Sequence, residues 1–293
     1  MSKYTRMYLA LLALVTGLAV NPGIAQQRYD DATVKELQRF NLDIGAFVTS
    51  RYNSTIRLDS KSVPIGTVID LEDSLDVDSS SISGRIDGFY RFNKKHRLDW
   101  TYYGVKRKGD AIVTDDINIG DPDDPDGECS IQAGASVQSQ WKFQLLKVGY
   151  SYSFVNTRKY EMFLGGGLNI RDLDVDIEAQ GGISGCEIED GGGTQVSSGG
   201  MIPLPTFNFG GRWNFTSKWQ ARWQWQFFAL EFGDYRGSTR DTTILIEHRT
   251  FKNVGFGGGI NAFDLQLEAE NSDLRGEVTS DYLGVLGYVK VYF

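Results

Sequence analysis

The chain has 293 residues, with 38 acidic against 30 basic side chains and a formal net charge of −8. This acidic balance argues against a nucleic-acid partner, because nucleic-acid binding depends on clustered lysine and arginine. Glycine (34), phenylalanine (17) and tyrosine (14) are plentiful and proline (6) is scarce, which is typical of many long strands with aromatic residues at membrane interfaces. The length allows one or two domains, and we predict one because no low-complexity linker divides the chain.

The first residues have the features of an export signal. Lys3 and Arg6 give a positively charged start. Residues 8–20 are mainly apolar, and residues 23–25 have the small-x-small pattern that a signal peptidase recognises. We therefore predict a signal peptide over residues 1–25. The alternative is an N-terminal membrane anchor, but the apolar run is shorter than the roughly 20 residues that a membrane-spanning helix needs.

Residues 26–41 are predicted to form a periplasmic segment ahead of the first strand. Within it, Val34, Leu37 and Phe40 are spaced three apart among charged side chains. This spacing predicts a short amphipathic helix over residues 29–40. The helix could cover the periplasmic opening of the structure that follows, or it could belong to a mobile tail, and the sequence favours neither.

After residue 25 there is no stretch of 18 apolar residues, so we expect no transmembrane helix. A membrane protein without such helices must be a closed β-barrel, because only helices and barrels satisfy every backbone polar group in lipid. Over residues 219–229, apolar and mainly aromatic side chains occupy one face and Gln or Arg the other. The same alternation recurs elsewhere, as expected for a lipid-facing outside and a polar inside. The residues predicted to face outward include Ile82, Ile86, Tyr90, Phe92, Leu98, Trp100, Tyr102, Trp219, Ala221, Trp223, Trp225, Phe227, Ala229, Leu283, Val285, Gly287, Val289, Val291 and Phe293.

The predicted fold is an all-β, antiparallel up-and-down transmembrane barrel over residues 42–293, with about ten strands. Eight or twelve strands remain possible, because weak hairpins are easily merged or split. Short connections alternate with longer ones rich in Gly, Asp and Ser, and we place the short turns in the periplasm and the long loops outside. In residues 172–178 acidic side chains alternate with apolar ones, so this part is predicted to stand in water above the bilayer. The strands are predicted at 42–58, 66–92, 97–118, 138–154, 159–180, 201–215, 218–236, 240–251, 253–270 and 274–293.

The last strand has apolar or aromatic residues at alternate positions and a terminal Phe. Together with the alternation, this strand resembles that of the small outer-membrane barrels of the OmpA and OmpW type, and other segments are similar to uncharacterised bacterial barrels. The resemblance implies that Tyr288, Val289, Val291 and Phe293 form the signal read by the barrel-assembly machinery. It also implies location in the cell outer membrane and contact with its lipid and lipopolysaccharide. It brings no activity with it, and we expect a monomer.

Five charged side chains are predicted to form a polar network in the lumen: Arg85, Asp87, Arg91, Asp99 and Arg222. Barrels of about eight strands are filled by side chains, while 16–18 strands leave an aqueous channel. We therefore favour a plugged or very narrow interior. The alternative is a narrow selective channel lined by the same groups.

The chain contains two histidines, His96 and His248, and both fall near predicted periplasmic ends of strands. Most catalytic sites of small barrels need a histidine at the outer rim as general base. The sequence also lacks a Gly-x-Ser-x-Gly elbow and a metal-spaced histidine cluster. We therefore expect no catalytic site, no metal and no cofactor, and an enzyme with an all-carboxylate site is the alternative.

Two loop features suggest chemistry. The acidic segment 121–128 invites a calcium interpretation, but with Asp121 in the first position of an EF-hand loop the fifth is Pro125, which has no ligating side chain. A solvated surface loop is the preferred interpretation. Cys129 and Cys186 lie in two loops predicted to be extracellular, where an oxidising compartment favours a disulfide; two free or intermolecular thiols are the alternative.

These observations favour an integral outer-membrane barrel with a structural or surface-interaction role through its acidic extracellular loops. The alternative is a small passive, porin-like channel for ions or small solutes. An outer-membrane enzyme is the least favoured of the three.

Overall fold

The computed structural model describes residues 38–60, 68–114, 116–118, 130–181, 183–184, 193–232, 235–270 and 274–293. In the part of the chain that it describes, no helix is long and apolar enough to span a membrane. Four sequence predictions lie wholly or almost wholly outside the described residues: the signal peptide over 1–25, the helix over 29–40, the acidic segment 121–128, and the pair Cys129 and Cys186.

Ten long antiparallel strands close into a barrel, which confirms the predicted fold and strand count. In chain order the elements are β1 (Phe40–Ser60), β2 (Val68–Asp70), α1 (Leu71–Ser74), β3 (Ser81–Arg91), β4 (His96–Ile112), β5 (Ile117–Asn118), β6 (Ser130–Ile131), β7 (Ser136–Asn156), β8 (Tyr160–Gln180), β9 (Ile183–Ser184), β10 (Gly193–Asn214), β11 (Trp219–Phe232), β12 (Tyr235–His248), β13 (Val254–Glu270) and β14 (Leu274–Tyr292). The wall consists of β1, β3, β4, β7, β8 and β10–β14, and β14 pairs back onto β1. The short strands β5, β6 and β9 form a separate sheet.

One predicted strand, over residues 66–92, is wrong in its first half. Here the chain forms β2, the single turn α1 and an irregular segment before β3 begins. The Asp70 carboxylate caps this turn, since its Oδ1 accepts hydrogen bonds from the amides of Glu72 (3.1 Å) and Asp73 (2.9 Å). An acidic side chain that satisfies these free amides favours a helical turn over a strand.

Four tight turns lie at one end of the barrel, together with the start of β1 and the end of β14, and we call this the inner end. Polar side chains fix the turns by accepting hydrogen bonds from nearby amides. Asn93 Oδ1 accepts from the amides of Lys95 (2.8 Å) and His96 (3.1 Å), and Thr216 Oγ1 accepts from that of Trp219 (2.8 Å). The opposite, outer end carries three long connections and two short ones, the latter between β11 and β12 and between β13 and β14, so the predicted alternation of short and long connections holds only in part.

An apolar belt surrounds the half of the barrel next to the inner end. On β7 it runs from Leu146 to Phe154, close to the roughly 9–11 residues that a strand needs to cross a bilayer. Beyond it, the outward positions become charged or polar, as at Lys106 on β4 and Asp172 on β8. The exposed side chains of the belt include Ile44, Val48, Ile82, Ile86, Tyr90, Phe92, Tyr102, Leu146, Val148, Tyr150, Phe154, Leu164, Leu168, Phe207, Trp219, Trp225, Phe227, Ile246, Phe256, Val285, Val289 and Phe293.

The wall between β10 and β11 is paired over only part of its height. The ladder between these strands ends at Phe207 opposite Phe227, whereas β10 stays paired with β8 up to its first residue. Pro203 and Pro205 lie just beyond Phe207. Because proline has no N–H and the ladder with β8 is unbroken, the nitrogens of both prolines face β11. We call this unpaired stretch the seam.

Candidate functional site

The barrel interior is the candidate site, since charged side chains meet there at the height of the lipid belt. Nearest the inner end, Glu161 is 2% exposed and receives three arginines. Its carboxylate lies 2.7 Å from Arg91 Nη2, 3.4 Å from Arg97 Nη1 and, through the other oxygen, 3.4 Å from Arg212 Nη2. Ser153 Oγ adds a hydrogen bond of 2.7 Å. We call these residues the inner cluster; from inside, one carboxylate on β8 connects to side chains of β3, β4, β7 and β10.

A second charged cluster spans the lumen from β11 to β1. Arg222 Nη2 lies 2.6 Å from Asp43 Oδ2 and 3.3 Å from Glu247 Oε1. Lys290 Nζ lies 2.6 Å from Glu247 Oε2, and the Tyr288 hydroxyl donates to the same carboxylate at 2.5 Å. Gly257 faces the Tyr288 ring so closely that a side chain there would collide with it. The glycine therefore makes room for the large inward side chains of its neighbours.

A polar cavity of about 60 Å³ lies above these clusters. Arg85 forms a bidentate pair with Asp87 (2.8 and 2.9 Å), and Thr101 Oγ1 donates to Asp87 at 2.7 Å. Two residues before Thr101 on the same strand, Asp99 pairs with the Arg97 guanidinium at 2.9 Å. Room for water needs roughly 10–15 Å³ per molecule on this measure, so the cavity holds a few waters.

The five residues predicted as a lumen network all face the interior. Arg85, Asp87 and Asp99 line the cavity, Arg91 belongs to the inner cluster, and Arg222 joins the second cluster while also lining the cavity. They form ion pairs with different partners rather than one shared network. Arg85 with Asp87 is the one ion pair made between two of the five.

Four buried carboxylates of the lumen were missed from the sequence: Asp43, Glu161, Asp241 and Glu247. Each lies on the inward face of its strand, in phase with side chains that the alternation does identify. The alternation alone could have identified Glu247 as an inward residue, because it lies two residues after Leu245, which also faces inward. The choice of partners could not have been found, because it depends on strands distant in the chain.

An aromatic layer closes the lumen above the cavity. Phe47, Tyr103 and Tyr282 contact one another edge to face, with ring centroids 5.1 Å (Phe47–Tyr103) and 5.8 Å (Phe47–Tyr282) apart. The hydroxyls of Tyr103 and Tyr282 share a hydrogen bond of 2.5 Å. Below it, Lys147 Nζ lies 2.5 Å from Asp241. The aromatic layer belongs to a longer cluster of buried hydrophobic side chains that reaches Tyr288 of the second charged cluster: Phe47, Tyr52, Tyr103, Val105, Leu145, Leu204, Phe228, Leu245, Phe263, Leu265, Tyr282, Leu286 and Tyr288.

The outer half of the interior is a hydrophobic core, which we call the outer core. The turn α1 and the segment after it fold inward and bury Leu71, Leu75 and Val77 against the wall. One ion pair lies beside them, between Arg107 and Glu72. The remaining buried members of the outer core are Val113, Ile131, Ala135, Val137, Trp141 and Ala179.

Several groups of the outer half have shifted pKa values. Burial raises the pKa of the Tyr52 hydroxyl and of the Asp281 carboxyl. On the surface, the pKa of Glu231 is lowered by a hydrogen bond and by the positive charge of Arg236, 2.8 Å away.

Comparison with known proteins rests on structure alone, because no protein-family model and no curated protein matches the sequence. The outer membrane protease OmpT of Escherichia coli superposes with a TM-score of 0.52 at 9% identity, covering 89% of this chain and 100% of that one. The fold is that of an outer-membrane β-barrel. At this identity the likeness shows the fold and nothing further.

Two other outer-membrane barrels are more distant. The translocator domain of the autotransporter NalP of Neisseria meningitidis has a TM-score of 0.42 at 11% identity, covering 98% of each chain. The outer membrane protein OprG of Pseudomonas aeruginosa has a TM-score of 0.36 at 9% identity, covering 88% of this chain and 97% of that one. Both scores are too low to support an inference. The belt and the closed wall place this barrel in the outer membrane.

Both histidines of the outer-membrane barrel lie at the inner end. His96 begins β4 and its Nδ1 contacts the Tyr150 hydroxyl, while His248 ends β12 and its Nδ1 lies 2.9 Å from Thr250 Oγ1. Among the described residues there is no group of three His, Cys, Asp or Glu side chains placed to hold a metal ion.

The predicted insertion signal lies where β14 meets β1. Val289 and Phe293 are exposed to the lipid side, whereas Tyr288 points inward. The Phe293 amide donates to the Phe40 carbonyl at 3.0 Å, which joins the two ends of the wall. Its recognition by the assembly machinery stays a prediction.

Proposed function

We propose that this barrel is closed to solutes and serves as a structural or surface-interaction protein of the outer membrane. The observation that carries the proposal is the filling of the interior from end to end. Ion-pair clusters, a water-sized cavity, the aromatic layer and the outer core follow one another along the axis. Ions crossing this barrel would have to displace several buried ion pairs, each of which is costly to break.

The outer half of the barrel is the part that can meet external partners. On β8, the outward side chains above the belt are Asp172, Asp174, Asp176 and Glu178. Lys142 Nζ lies 3.6 Å from Asp176 Oδ2. An acidic surface of this kind just above the lipid is suited to lipopolysaccharide contact through divalent cations, which supports a surface role.

We propose no catalytic role. Support comes from the two histidines, since both lie at the inner end and neither reaches the outer rim. Neither histidine is therefore placed to act as a general base where substrates would arrive from outside.

Single-channel recording in planar bilayers tests the closed barrel. Purified protein that migrates faster unboiled than boiled is folded, and we expect it to give no reproducible conductance steps. A matched opened variant combines Phe47→Ala, Tyr103→Ala and Tyr282→Ala, which removes the aromatic layer. A second variant, Tyr150→Ala, changes an exposed belt residue and should stay silent like the wild type.

Reproducible steps from the folded wild type would overturn the proposal and favour the small passive channel. Steps from the opened variant alone would support it, because they would show that the assay detects an open lumen and that the aromatic layer closes it.

A further inference from the structure

Several buried nitrogen atoms in the lumen have no hydrogen-bond partner in the structure. Nε of Arg91 and Nε of Arg212 are two of them, in the inner cluster, and four others lie near the cavity. These four are Nε and Nη1 of Arg171, Nδ2 of Asn169 and Nη1 of Arg85. Arg171 is 2% exposed, Asn169 1% and Arg85 6%. All four atoms are donors, and a buried donor without an acceptor destabilises the folded state, the more so when it is charged. The described part of the protein itself therefore offers these four donors no acceptor.

The donors belong to one region, between the cavity and the aromatic layer. Asn169 on β8 is the cross-strand partner of Lys147 on β7, and Arg171 is the next inward residue along β8. Arg171 lies over the Phe263 ring at 4.7 Å, and Arg85 lies between the rings of Phe47 (5.2 Å) and Tyr103 (5.1 Å). The guanidinium groups of Arg85 and Arg171 both interact electrostatically with Tyr103 and with Lys147. They therefore lie near the same part of the lumen.

The protein does not supply the missing negative charge. Asp241 is the carboxylate whose charge acts on Arg171. It is already occupied by Lys147 Nζ at 2.5 Å and Asn261 Nδ2 at 2.7 Å. Arg171 itself makes one hydrogen bond, from Nη2 to Thr239 Oγ1 at 3.1 Å. A neutral hydroxyl does not compensate a buried guanidinium.

Positive charge is also in excess among the described strand residues whose side chains face the lumen inside the belt. Cationic side chains outnumber carboxylates there, although the whole chain has a net charge of −8. The cations are Arg85, Arg91, Arg97, Lys147, Arg171, Arg212, Arg222 and Lys290, and the carboxylates are Asp43, Asp87, Asp99, Glu161, Asp241 and Glu247.

We propose that one small inorganic anion of the size of chloride binds inside the barrel, held by Arg171, Asn169 and Arg85. The anion accepts from the unpaired nitrogens and supplies the charge that Arg171 lacks. The adjoining cavity of about 60 Å³ has room for an ion of this size beside a few waters and excludes large organic anions. The site goes beyond the proposed function, because a closed barrel can hold an anion that it does not conduct.

Thermal unfolding at constant ionic strength tests the site. For folded protein in a zwitterionic detergent, we expect Tm to be about 5 °C higher in 0.1 M sodium chloride than in 0.1 M sodium gluconate, because an ion that binds only the folded state stabilises it. Bromide should act like chloride, and a crystal grown in bromide should show an anomalous peak between Arg171 and Asn169.

Arg171→Met removes the guanidinium and keeps a side chain of similar length. We expect it to abolish the chloride-dependent rise in Tm, and in gluconate to be at least as stable as the wild type, because an uncompensated charge has been removed. Arg240→Met, an exposed arginine on β12, is the matched control and should keep the full chloride response.

Two results would overturn the anion site. One is an equal loss of Tm for Arg171→Met in chloride and gluconate, which would show a purely structural arginine. The other is electron density for water without anomalous signal at the site in bromide. Neither result depends on whether the barrel conducts, so the site and the proposed function can fail separately.

Discussion

The two halves of the barrel have opposite polarity, and β8 passes through both. In the inner half, Leu164 and Leu168 face outward and Glu161 faces the lumen. In the outer half, Asp174 faces outward and Val175 faces the interior, where it packs against the outer core. The side chains of β8 alternate between the two faces along the whole strand. Those that face inward are mainly charged or polar up to Arg171 and apolar beyond it.

The reversal follows from what surrounds each half. Lipid accepts only apolar side chains on the outside of the inner half, so polar residues are confined to the lumen and must satisfy one another. Water surrounds the outer half, so its interior can be an ordinary hydrophobic core. The inner half is therefore held by ion pairs and hydrogen bonds, and the outer half mainly by apolar burial.

The largest test of this comparison is Glu161→Gln. Three buried arginines would lose their shared carboxylate, and breaking a buried pair costs about 3–5 kcal/mol. We expect the urea midpoint of unfolding in lipid vesicles to fall accordingly. Glu178→Gln, an outward carboxylate in the outer half of the same strand, is the control. Equal, small effects of the two variants would contradict a lumen held by ion pairs.

Leu164→Arg tests the outward face of the inner half. Arginine near the middle of the belt should cost about 2–4 kcal/mol, because it must enter hydrocarbon. Glu178→Arg puts the same side chain on the same face above the belt, where we expect less than about 1 kcal/mol. The measurement is again the urea midpoint in vesicles. If both variants lost the same stability, the belt would not end where β8 becomes acidic.

Leu75→Ala tests the outer core and should have the smallest effect on the barrel as a whole. Removing this buried side chain should lower the free energy of unfolding of the outer half by about 2–3 kcal/mol. Trp141 packs in the outer core, and we expect its fluorescence to become more accessible to acrylamide. The heat-modifiability temperature should hardly change, because local unfolding can leave the rest intact. A parallel fall in that temperature would mean that the two halves unfold as one unit.

The sequence predicts the inner half much better than the outer half. Alternation is a local signal, so it identifies Trp225 and Val289 as outward and Arg85 as inward without knowledge of any partner. The short turns are equally local, since Asn93 and Thr216 cap their own neighbours.

The rest depends on contacts between distant parts of the chain. The meeting of Arg91 and Arg212 at Glu161 joins three separate strands. The outer core was not predicted, because the inward turn of Leu71 and Leu75 needs a wall that other strands provide.

The wall deforms most easily at the seam between β10 and β11. Elsewhere, a change in the tilt or spacing of neighbouring strands must stretch or break ladder hydrogen bonds. At Pro203 and Pro205 the strands share none, and those two positions have no N–H left to satisfy. The two strands can therefore separate here, at the outer edge of the belt, without breaking a ladder hydrogen bond, while the ion pairs of the lumen hold the inner end together.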